Sequence, residues 1–274
     1  LFGFNFNDAV RFAGDKSISW QSNGYGADFL VIPSSSGTII EAHLAQSNYK
    51  IQSTELSNRP RESLIDGFNG GLDFTYLLRK YDEFKYGLEF VGLRTDYQYT
   101  NSVGRTLDQI QNTTEIGGYL DYKRRIGRWL IQPGLRLHNY GSLAIVRAEP
   151  RFGLKFNATE YLRFKASGGR YSQNLVAANS DRDVVNLFYG FLSGAGDLPS
   201  QFDGKPINNS LQTANHLVLG TELNLTKGLK LELEGYVKVF DQITNINRYK
   251  IYDDIPVYED QPELLRKDFM VERG

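Results

Sequence analysis

The sequence predicts an all-β protein, an antiparallel up-and-down sheet of the transmembrane β-barrel type. Apolar and polar residues alternate with a period of two in several segments, as expected of strands rather than helices. The connections between these segments alternate between short and long, which is typical of outer-membrane barrels. Among 274 residues there are 17 Tyr, 17 Phe and 27 Gly but only one Met, and this mixture favours strands over helices.

Charge and cysteine content exclude several other classes of protein. With 31 basic and 32 acidic residues, the formal net charge is −1, which argues against a nucleic-acid-binding protein or a polybasic membrane-surface domain. The longest apolar runs have four residues, such as 29–32, whereas a transmembrane helix needs about 20. Cysteine is absent, so disulfides and cysteine-based metal or thiol chemistry are excluded.

The alternation separates the charged residues from the apolar ones. In one segment, Phe68, Leu72 and Phe74 lie on one face of the predicted strand, and Asn69 and Asp73 lie on the other. We therefore predict that the apolar faces contact lipid and the charged faces point inward. The clearest alternating segments are 66–77, 148–157, 161–168, 215–225 and 229–239.

Segment length and aromatic residues support a membrane-spanning sheet. Segments such as 84–99 and 229–243 have about ten residues or more, and about 9–11 tilted residues cross a bilayer. Strands of soluble proteins centre near five or six residues. Tyrosine and tryptophan near segment ends, such as Tyr97 and Trp129, are interpreted as headgroup-level aromatics, with ordinary residues of a soluble β-sandwich as the alternative.

The connections predict that the two ends of the sheet differ, with short turns at one end and long loops at the other. They also predict a single domain. Because outer-membrane barrels have short periplasmic turns and long outer loops, we assign the short connections to the periplasmic rim. No linker divides the chain, so residues 1–274 are predicted to form one partial barrel domain of about 10 to 12 strands. The short connections are 78–83, 125–128, 157–160 and 226–228, and the long ones are 100–114, 139–147, 172–214 and 244–267.

Two adjacent predicted strands carry recognisable motifs. Residues 148–156 read AEPRFGLKF, and residues 162–173 read LRFKASGGRYSQ. This order of an EPR strand, a short turn and a strand ending in YSQ resembles the barrel of TonB-dependent receptors, particularly those of the Bacteroidetes type. Further similar segments are 134–136, 214–219, 234–238 and 268–269. The resemblance covers about residues 66–274.

The resemblance implies part of a 22-stranded barrel in the Gram-negative outer membrane. The family's N-terminal plug domain and TonB-binding box are not found in residues 1–274. The implied function is active uptake of a nutrient ligand into the periplasm, with no cofactor. The implied partners are outer-membrane lipid, the TonB complex through an N-terminal region absent here, a surface lipoprotein and an unknown small ligand. Nucleic acid is not expected.

The long connection 172–214 is the best candidate for ligand recognition, because functional loops are often the long ones. Phe188, Tyr189, Phe191 and Asp197 offer aromatic and acidic groups for stacking on a ligand and hydrogen-bonding to it. Packing of the loop on itself explains the same residues equally well. We also expect that shortening this loop leaves the neighbouring strands able to pair.

Catalytic and metal sites are not expected. The histidines His43, His138 and His216 lie in separate predicted strands without metal-binding spacing. An outer-membrane hydrolase is the enzyme alternative, but no nucleophile motif supports it. A passive porin or a structural barrel is the alternative without catalysis. Charged residues such as Glu149 and Lys165 are interpreted as groups that pair with one another or with a plug, with direct substrate contact as the alternative.

Overall fold

The computed structural model describes residues 1–14, 16–34, 37–54, 61–79, 82–178, 190–226 and 228–273. Its strands are β1 (Phe2–Arg11), β2 (Ser17–Val31), β3 (Thr38–Thr54), β4 (Arg61–Arg79), β5 (Asp82–Thr100), β6 (Thr106–Ile126), β7 (Trp129–Tyr140), β8 (Ile145–Asn157), β9 (Leu162–Gln173), β10 (Leu175–Ala178), β11 (Gly190–Ser193), β12 (Gln201–Phe202), β13 (Lys205–Pro206), β14 (Gln212–Thr226), β15 (Leu229–Ile246) and β16 (Phe269–Glu272).

Within these ranges, twelve strands form one antiparallel sheet in which neighbours along the chain are neighbours in space, with β9 beside β14. The remaining strands form two small hairpins, β10 with β11 and β12 with β13. Helical structure in the described residues is limited to single turns at Gly141–Leu143, Pro256–Tyr258 and Glu263–Arg266. In the described part of the chain, no helix has the length and apolarity needed to span a membrane. The predicted all-β, antiparallel up-and-down sheet is confirmed.

Strand β5 shows how the sheet uses its two faces near the short turns. Phe84, Leu88 and the residues alternating with them point to one face, where Leu88 is 64% exposed. Glu83 and Glu89 lie on the opposite face. We call it the inner face because the β9–β14 connection packs against it farther along the strand, at Thr95. The apolar outer surface formed by such segments is called the belt. Its polarity agrees with the predicted contact with lipid.

Beyond the belt, the polarity of the two faces is reversed. From Arg94 onward, β5 places Arg94 and Gln98 on the outer face and Tyr97 on the inner face. Tyr97 is only 2% exposed. The same change occurs in β3, where Ile51 is buried on the inner face opposite Trp20. These upper strand segments are called the outer extension, and their polar outer faces suit water rather than lipid.

The hydrophobic core lies on the inner face of the outer extension. Strands β2, β3, β5 and β6 supply one side, and the β9–β14 connection and β16 supply the other. Burial of each large apolar side chain contributes about 1.5–3 kcal/mol, so the connection is part of the folded unit. The buried members of the core are Ile18, Ile51, Tyr97, Leu107, Val176, Leu192, Ala195 and Phe269.

Strand length differs around the sheet, and two predicted loops are shorter than expected. Strand β6 has 21 residues and β7 has 12, so at about 3.4 Å per residue β6 is about 30 Å longer. The predicted long connection 100–114 is a loop at residues 101–105, and the one at 139–147 is a single turn near Gly141–Leu143. Both predicted bounds were wrong, because pairing continues to Thr100 opposite Thr106 and to Tyr140 opposite Ile145. In β5 and β6, the reversed polarity of the outer extension hides this continuation in the sequence.

Candidate functional site

The side chain of Glu149 links β8 to β9 by hydrogen bonds. It lies two residues before Arg151, where the backbone pairing of the two strands ends opposite Gly169. The Oε1 of Glu149 accepts hydrogen bonds from the backbone N–H of Ser172 at 2.9 Å and from its hydroxyl at 2.5 Å. The Oε2 of Glu149 accepts one from Arg151 Nη2 at 3.0 Å. Charge-assisted bonds of this kind are stronger than neutral ones. The EPR and YSQ motifs therefore act together as a clamp between the two strands.

An ion-pair cluster lies on the inner face near the short turns that join β8 to β9 and β14 to β15. At its centre is Glu222, whose side chain is only 6% exposed and whose carboxylate lies 3.0 Å from Lys165 Nζ and also contacts Arg163. These contacts confirm that charges on the inner face pair with one another. The members of the cluster are Lys155, Arg163, Lys165, Glu222, Lys230 and Glu232.

Further polar contacts cross the inner face between β5, β6 and β7. Arg136 Nη2 lies 2.7 Å from a carboxylate oxygen of Glu89, and His138 Nε2 lies 3.1 Å from one of Glu115. Gly117 leaves room for the guanidinium, because a Cβ atom there would lie 3.0 Å from Arg136 Nη2. Within the described ranges, no group of His, Asp and Glu side chains has the arrangement needed to hold a metal ion.

The β9–β14 connection crosses the inner face as a strap, defined as residues 174–178 and 190–195. Its hub is the buried Ser193. The Oγ of Ser193 lies 3.0 Å from Thr95 Oγ1 and 2.8 Å from Thr113 Oγ1, and its backbone carbonyl accepts a hydrogen bond from Gln109 Nε2 at 2.9 Å. The strap is thus fixed to β5 and β6. Single Ser and Thr residues are too common for sequence reasoning to have found this hub.

The structure places two of the four predicted ligand-binding residues. Phe188 and Tyr189 lie outside the described residues. Phe191 lies in β11, where its backbone N–H donates to Ser63 Oγ at 2.9 Å and its carbonyl accepts from the same hydroxyl at 3.2 Å. The ring of Phe191 meets the Tyr49 ring edge-on at 6.2 Å. Phe191 is therefore held against β3 and β4 and is partly exposed.

Asp197 connects the two longest loops of the sheet, the β9–β14 connection and the β15–β16 loop. One of its carboxylate oxygens lies 3.0 Å from Lys267 Nζ, and the other accepts a hydrogen bond from the Asp268 backbone N–H at 3.0 Å. Both oxygens of Asp197 thus have partners within the protein. Asp197 and Phe191 both lie in the β9–β14 connection, but the structure shows no contact between them among the described residues. Their role in binding a ligand stays a prediction.

The β15–β16 loop, residues 247–268, forms a cap loop that reaches across to the β5–β6 loop. Asn101 Nδ2 donates to the Lys250 carbonyl at 2.8 Å, and Arg105 Nη1 lies 3.0 Å from Asp253 Oδ2. Within the cap loop, a hydrogen bond from Lys267 lowers the pKa of Asp254. The cap loop and the strap therefore both contact the same part of the sheet, the long strands β4 to β6 and their connections.

No protein-family model matches the chain, and no curated protein matches it. Several solved structures do match the chain. A mutant of the ferric enterobactin receptor PfeA from Pseudomonas aeruginosa has 11% identity and a TM-score of 0.61 over 94% of this chain and 39% of the receptor. The outer membrane transporter YddB from Escherichia coli has 10% identity and a TM-score of 0.55, over 95% of this chain and 38% of YddB.

A third structure, the RagAB peptide importer, has 12% identity and a TM-score of 0.51 over 93% of this chain and 32% of its own. At these identities the likeness is one of fold. The twelve-stranded sheet has the fold of part of the β-barrels of these outer-membrane proteins, which agrees with the resemblance of its motifs and is consistent with the predicted location. The chain spans about a third to two fifths of the length of these proteins.

Proposed function

We propose that the chain is the barrel part of a TonB-dependent outer-membrane transporter that takes up a nutrient ligand into the periplasm. The observation that carries the proposal is the belt, which gives the sheet an apolar outer surface, combined with a charged inner face. This arrangement suits a membrane-spanning wall around a polar interior. The remaining strands of the barrel, the plug and the TonB-binding region are part of the proposal, as are outer-membrane lipid and a surface lipoprotein as partners.

In the proposed mechanism this chain is a rigid frame, and the plug is the part that moves. A ligand binds between the outer loops and the plug, and energy passed through TonB rearranges the plug so that the ligand enters the periplasm. The paired charges around Glu222 and the clamp at Glu149 support a rigid wall, because each charge already has a partner in the wall. A rigid wall allows the plug to move without unfolding the barrel.

Ligand contact is proposed for the β9–β14 connection. Phe188, Tyr189 and Phe191 are proposed to stack on the ligand, and Asp197 is proposed to position the loop. The internal hydrogen bonds of Asp197 support a positioning role over direct contact, since both of its carboxylate oxygens are already used. No residue is proposed to be catalytic. A passive porin is the alternative, and the dependence of uptake on TonB separates the two.

Uptake in cells tests the proposed function. The full-length protein is expressed in its own host with and without a functional TonB complex, and accumulation of a ferric siderophore, cobalamin, a glycan and a peptide is measured. We expect at least one ligand to accumulate only with TonB, because the proposed movement of the plug requires energy. Accumulation that does not change on loss of TonB would favour a porin and contradict the proposal.

Labelling of intact cells tests the assignment of the rims. Residues 1–274 contain no cysteine, so single cysteines at Ala158 and Lys205 are compared with the unsubstituted full-length protein as the background. Both side chains are in connections that leave the sheet. We expect a membrane-impermeant maleimide to label Lys205→Cys on intact cells and Ala158→Cys only after the outer membrane is opened. The reverse pattern would invert the proposed topology.

A further inference from the structure

The backbone pairing of β8 with β9 stops before the pairing of either strand with its other neighbour. Among the described residues, β8 pairs with β9 over residues 151–157, whereas its pairing with β7 continues to Ile145. Strand β9 stays paired with β14 as far as Gln173. Residues 145–150 of β8 and 170–173 of β9 are therefore each held by their other neighbour and not by each other. We call the boundary between these two segments the seam.

Two residues explain why the ladder ends at this place. Pro150 directly precedes Arg151 and has no backbone N–H to donate to a neighbouring strand. Opposite Arg151, Gly169 allows the strands to approach closely, because a Cβ atom there would lie 3.0 Å from the Pro150 carbonyl oxygen. The last close approach of the two backbones is thus followed at once by a residue that cannot continue the ladder.

A stack of side chains fastens the strands where the ladder ends. The guanidinium of Arg151 lies 4.8 Å from the centre of the Tyr171 ring, and a cation placed over an aromatic ring is attracted to it. The rings of Tyr171 and His216 are stacked with centroids 4.5 Å apart. The stack joins β8, β9 and β14, so it gives the seam a fixed lower end.

Along the seam, side chains take the place of backbone bonds. The N–H of Ser172 donates to Glu149 at 2.9 Å, and the Ser172 hydroxyl contacts Glu149 at 2.5 Å and Tyr140 Oη at 2.9 Å. The Glu149 side chain is only 3% exposed, so water competes little for its oxygens. Among the described residues, Glu149 thus accepts two of the three hydrogen bonds that cross the seam.

The strap bridges the seam on the inner face. It leaves β9 at Asn174 and is fixed at Ser193 to Thr95 in β5 and Thr113 in β6. In the strand order, β5 and β6 lie on one side of the seam and β9 lies on the other. Because Asn174 follows Ser172 by only two residues, a movement of the strap is transmitted directly to the clamp.

We propose that the seam is a joint at which the wall can open, that Glu149 keeps it closed, and that the strap is the second link across it. Opening requires no unfolding of β8 or β9, because each strand keeps its ladder with its other neighbour. The wall is rigid while the clamp holds, and release of Ser172 lets β9 move together with the first residues of the strap. The inference rests on the proposed function only in treating the strap as part of a connection that contacts a ligand.

Distances between spin labels across the seam test the proposal in the full-length protein. Cysteines replace Val146 in β8 and Gln173 in β9, and any cysteine outside residues 1–274 is changed to serine. The protein is labelled in denaturant and then refolded into vesicles. A matched pair, Asn139→Cys with Val146→Cys, spans the continuous β7–β8 ladder. We expect a single short distance for each pair when the clamp is intact.

Removal of the clamp should open the seam and leave the neighbouring ladder unchanged. In Glu149→Ala, we expect the 146–173 pair to gain a population that is longer by about 5 Å, one strand spacing, with no change in the 139–146 pair. Glu149→Gln should restore the short distance, because its amide oxygen still accepts from the Ser172 N–H. Addition of Ser193→Ala to Glu149→Ala should increase the longer population, because the second link is weakened.

Ser172→Ala is a milder variant that keeps the backbone N–H and removes both hydroxyl contacts, so it should give the longer population in a smaller amount. Heat-modifiable migration on gels shows which variants refold. An unchanged distance in refolded Glu149→Ala or Ser172→Ala, equal lengthening of the 139–146 pair, or no increase on addition of Ser193→Ala would overturn the proposal. The distances are measured without ligand and without TonB, so failure of the joint and failure of the proposed transport are distinguishable.

Discussion

The belt and the outer extension belong to the same strands but place opposite kinds of side chain on their outer faces. In the belt, Leu88 points outward and Glu89 points inward; in the outer extension, Gln98 points outward and Tyr97 points inward. The alternation itself continues without a break through β5. What changes is the medium on each side, because lipid outside favours apolar groups and water outside favours polar ones.

The two regions also differ in what fills the inner face. In the belt, the inner face carries paired charges, as in the cluster around Glu222. In the outer extension, it carries a hydrophobic core to which the strap contributes Leu192 and Val176. The strap therefore completes the outer extension. That shortening the β9–β14 connection leaves β9 and β14 able to pair stays a prediction, because the two strands pair directly with each other.

The largest effect is expected from a substitution that disrupts the core of the outer extension. Leu192→Ala should lower the free energy of unfolding by about 2–5 kcal/mol, because the fully buried side chain leaves a cavity between the strap and the sheet. The control Val103→Ala, at an exposed position of an outer loop, should change it by less than about 0.5 kcal/mol. Denaturant unfolding of the full-length protein in vesicles measures both. Similar values for the two variants would show that the strap is not part of the core.

A charge on the outer face should distinguish the belt from the outer extension. Leu88→Arg should cost about 2–4 kcal/mol, since the side chain would enter lipid near the middle of the belt. Gln98→Arg lies on the same face of the same strand, beyond the belt, and should cost little. Unfolding in vesicles and heat-modifiable migration on gels measure the difference. Equal losses of stability at positions 88 and 98 would contradict a boundary between the belt and the outer extension.

The inner face of the belt should depend on Glu222 more than on its neighbour Glu232. Glu222→Gln should lower the free energy of unfolding by about 1.5–3 kcal/mol, as expected for loss of hydrogen bonds to charged groups. Glu232→Gln should have a smaller effect because Glu232 is more exposed and, among the described residues, forms ion pairs with two lysines, Lys165 and Lys230. Unfolding at low and high salt tests this order. A larger loss for Glu232→Gln would place the centre of the cluster elsewhere.

The smallest expected effect concerns acid sensitivity of the cap loop. Folding lowers the pKa of Asp254, chiefly through the hydrogen bond from Lys267. The stabilisation is therefore fully present above the usual aspartate pKa of about 3.9 and is lost as the pH falls through the lower value of the folded state. A fluorophore on Asp260→Cys should keep a constant anisotropy from pH 7 to 5 and lose anisotropy below about pH 4.

Lys267→Gln is the matched variant for this measurement. It should lower the anisotropy at neutral pH and weaken the change in acid, because Asp254 loses the main cause of its lowered pKa. Burial raises the pKa of Asp268, so its contribution has the opposite sign: it is present below the usual aspartate pKa and lost as the pH rises through the higher folded value. Acid sensitivity that is unchanged in Lys267→Gln would exclude the Asp254 ion pair as its source.

The sequence by itself determined the class of fold and the two faces of the belt. Alternation at positions such as Phe68, Asn69 and Leu72 depends only on the pleat of a strand, so it can be read without any knowledge of distant residues. The short turns at 125–128 and 157–160 were also readable, because a hairpin closes within a few residues. The EPR and YSQ motifs indicated a family resemblance, but their structural role as a clamp was not visible.

Only the tertiary structure decided where the β9–β14 connection lies and what its residues do. Ser193 meets Thr95 and Thr113, and Asp197 meets Lys267, across large distances in sequence. Such contacts depend on the order and the unequal lengths of the strands in the folded sheet, which no local pattern encodes. The reversal of polarity in the outer extension has the same origin, because a residue's inward or outward environment is set by the lipid, water or strap that the folded sheet places beside it.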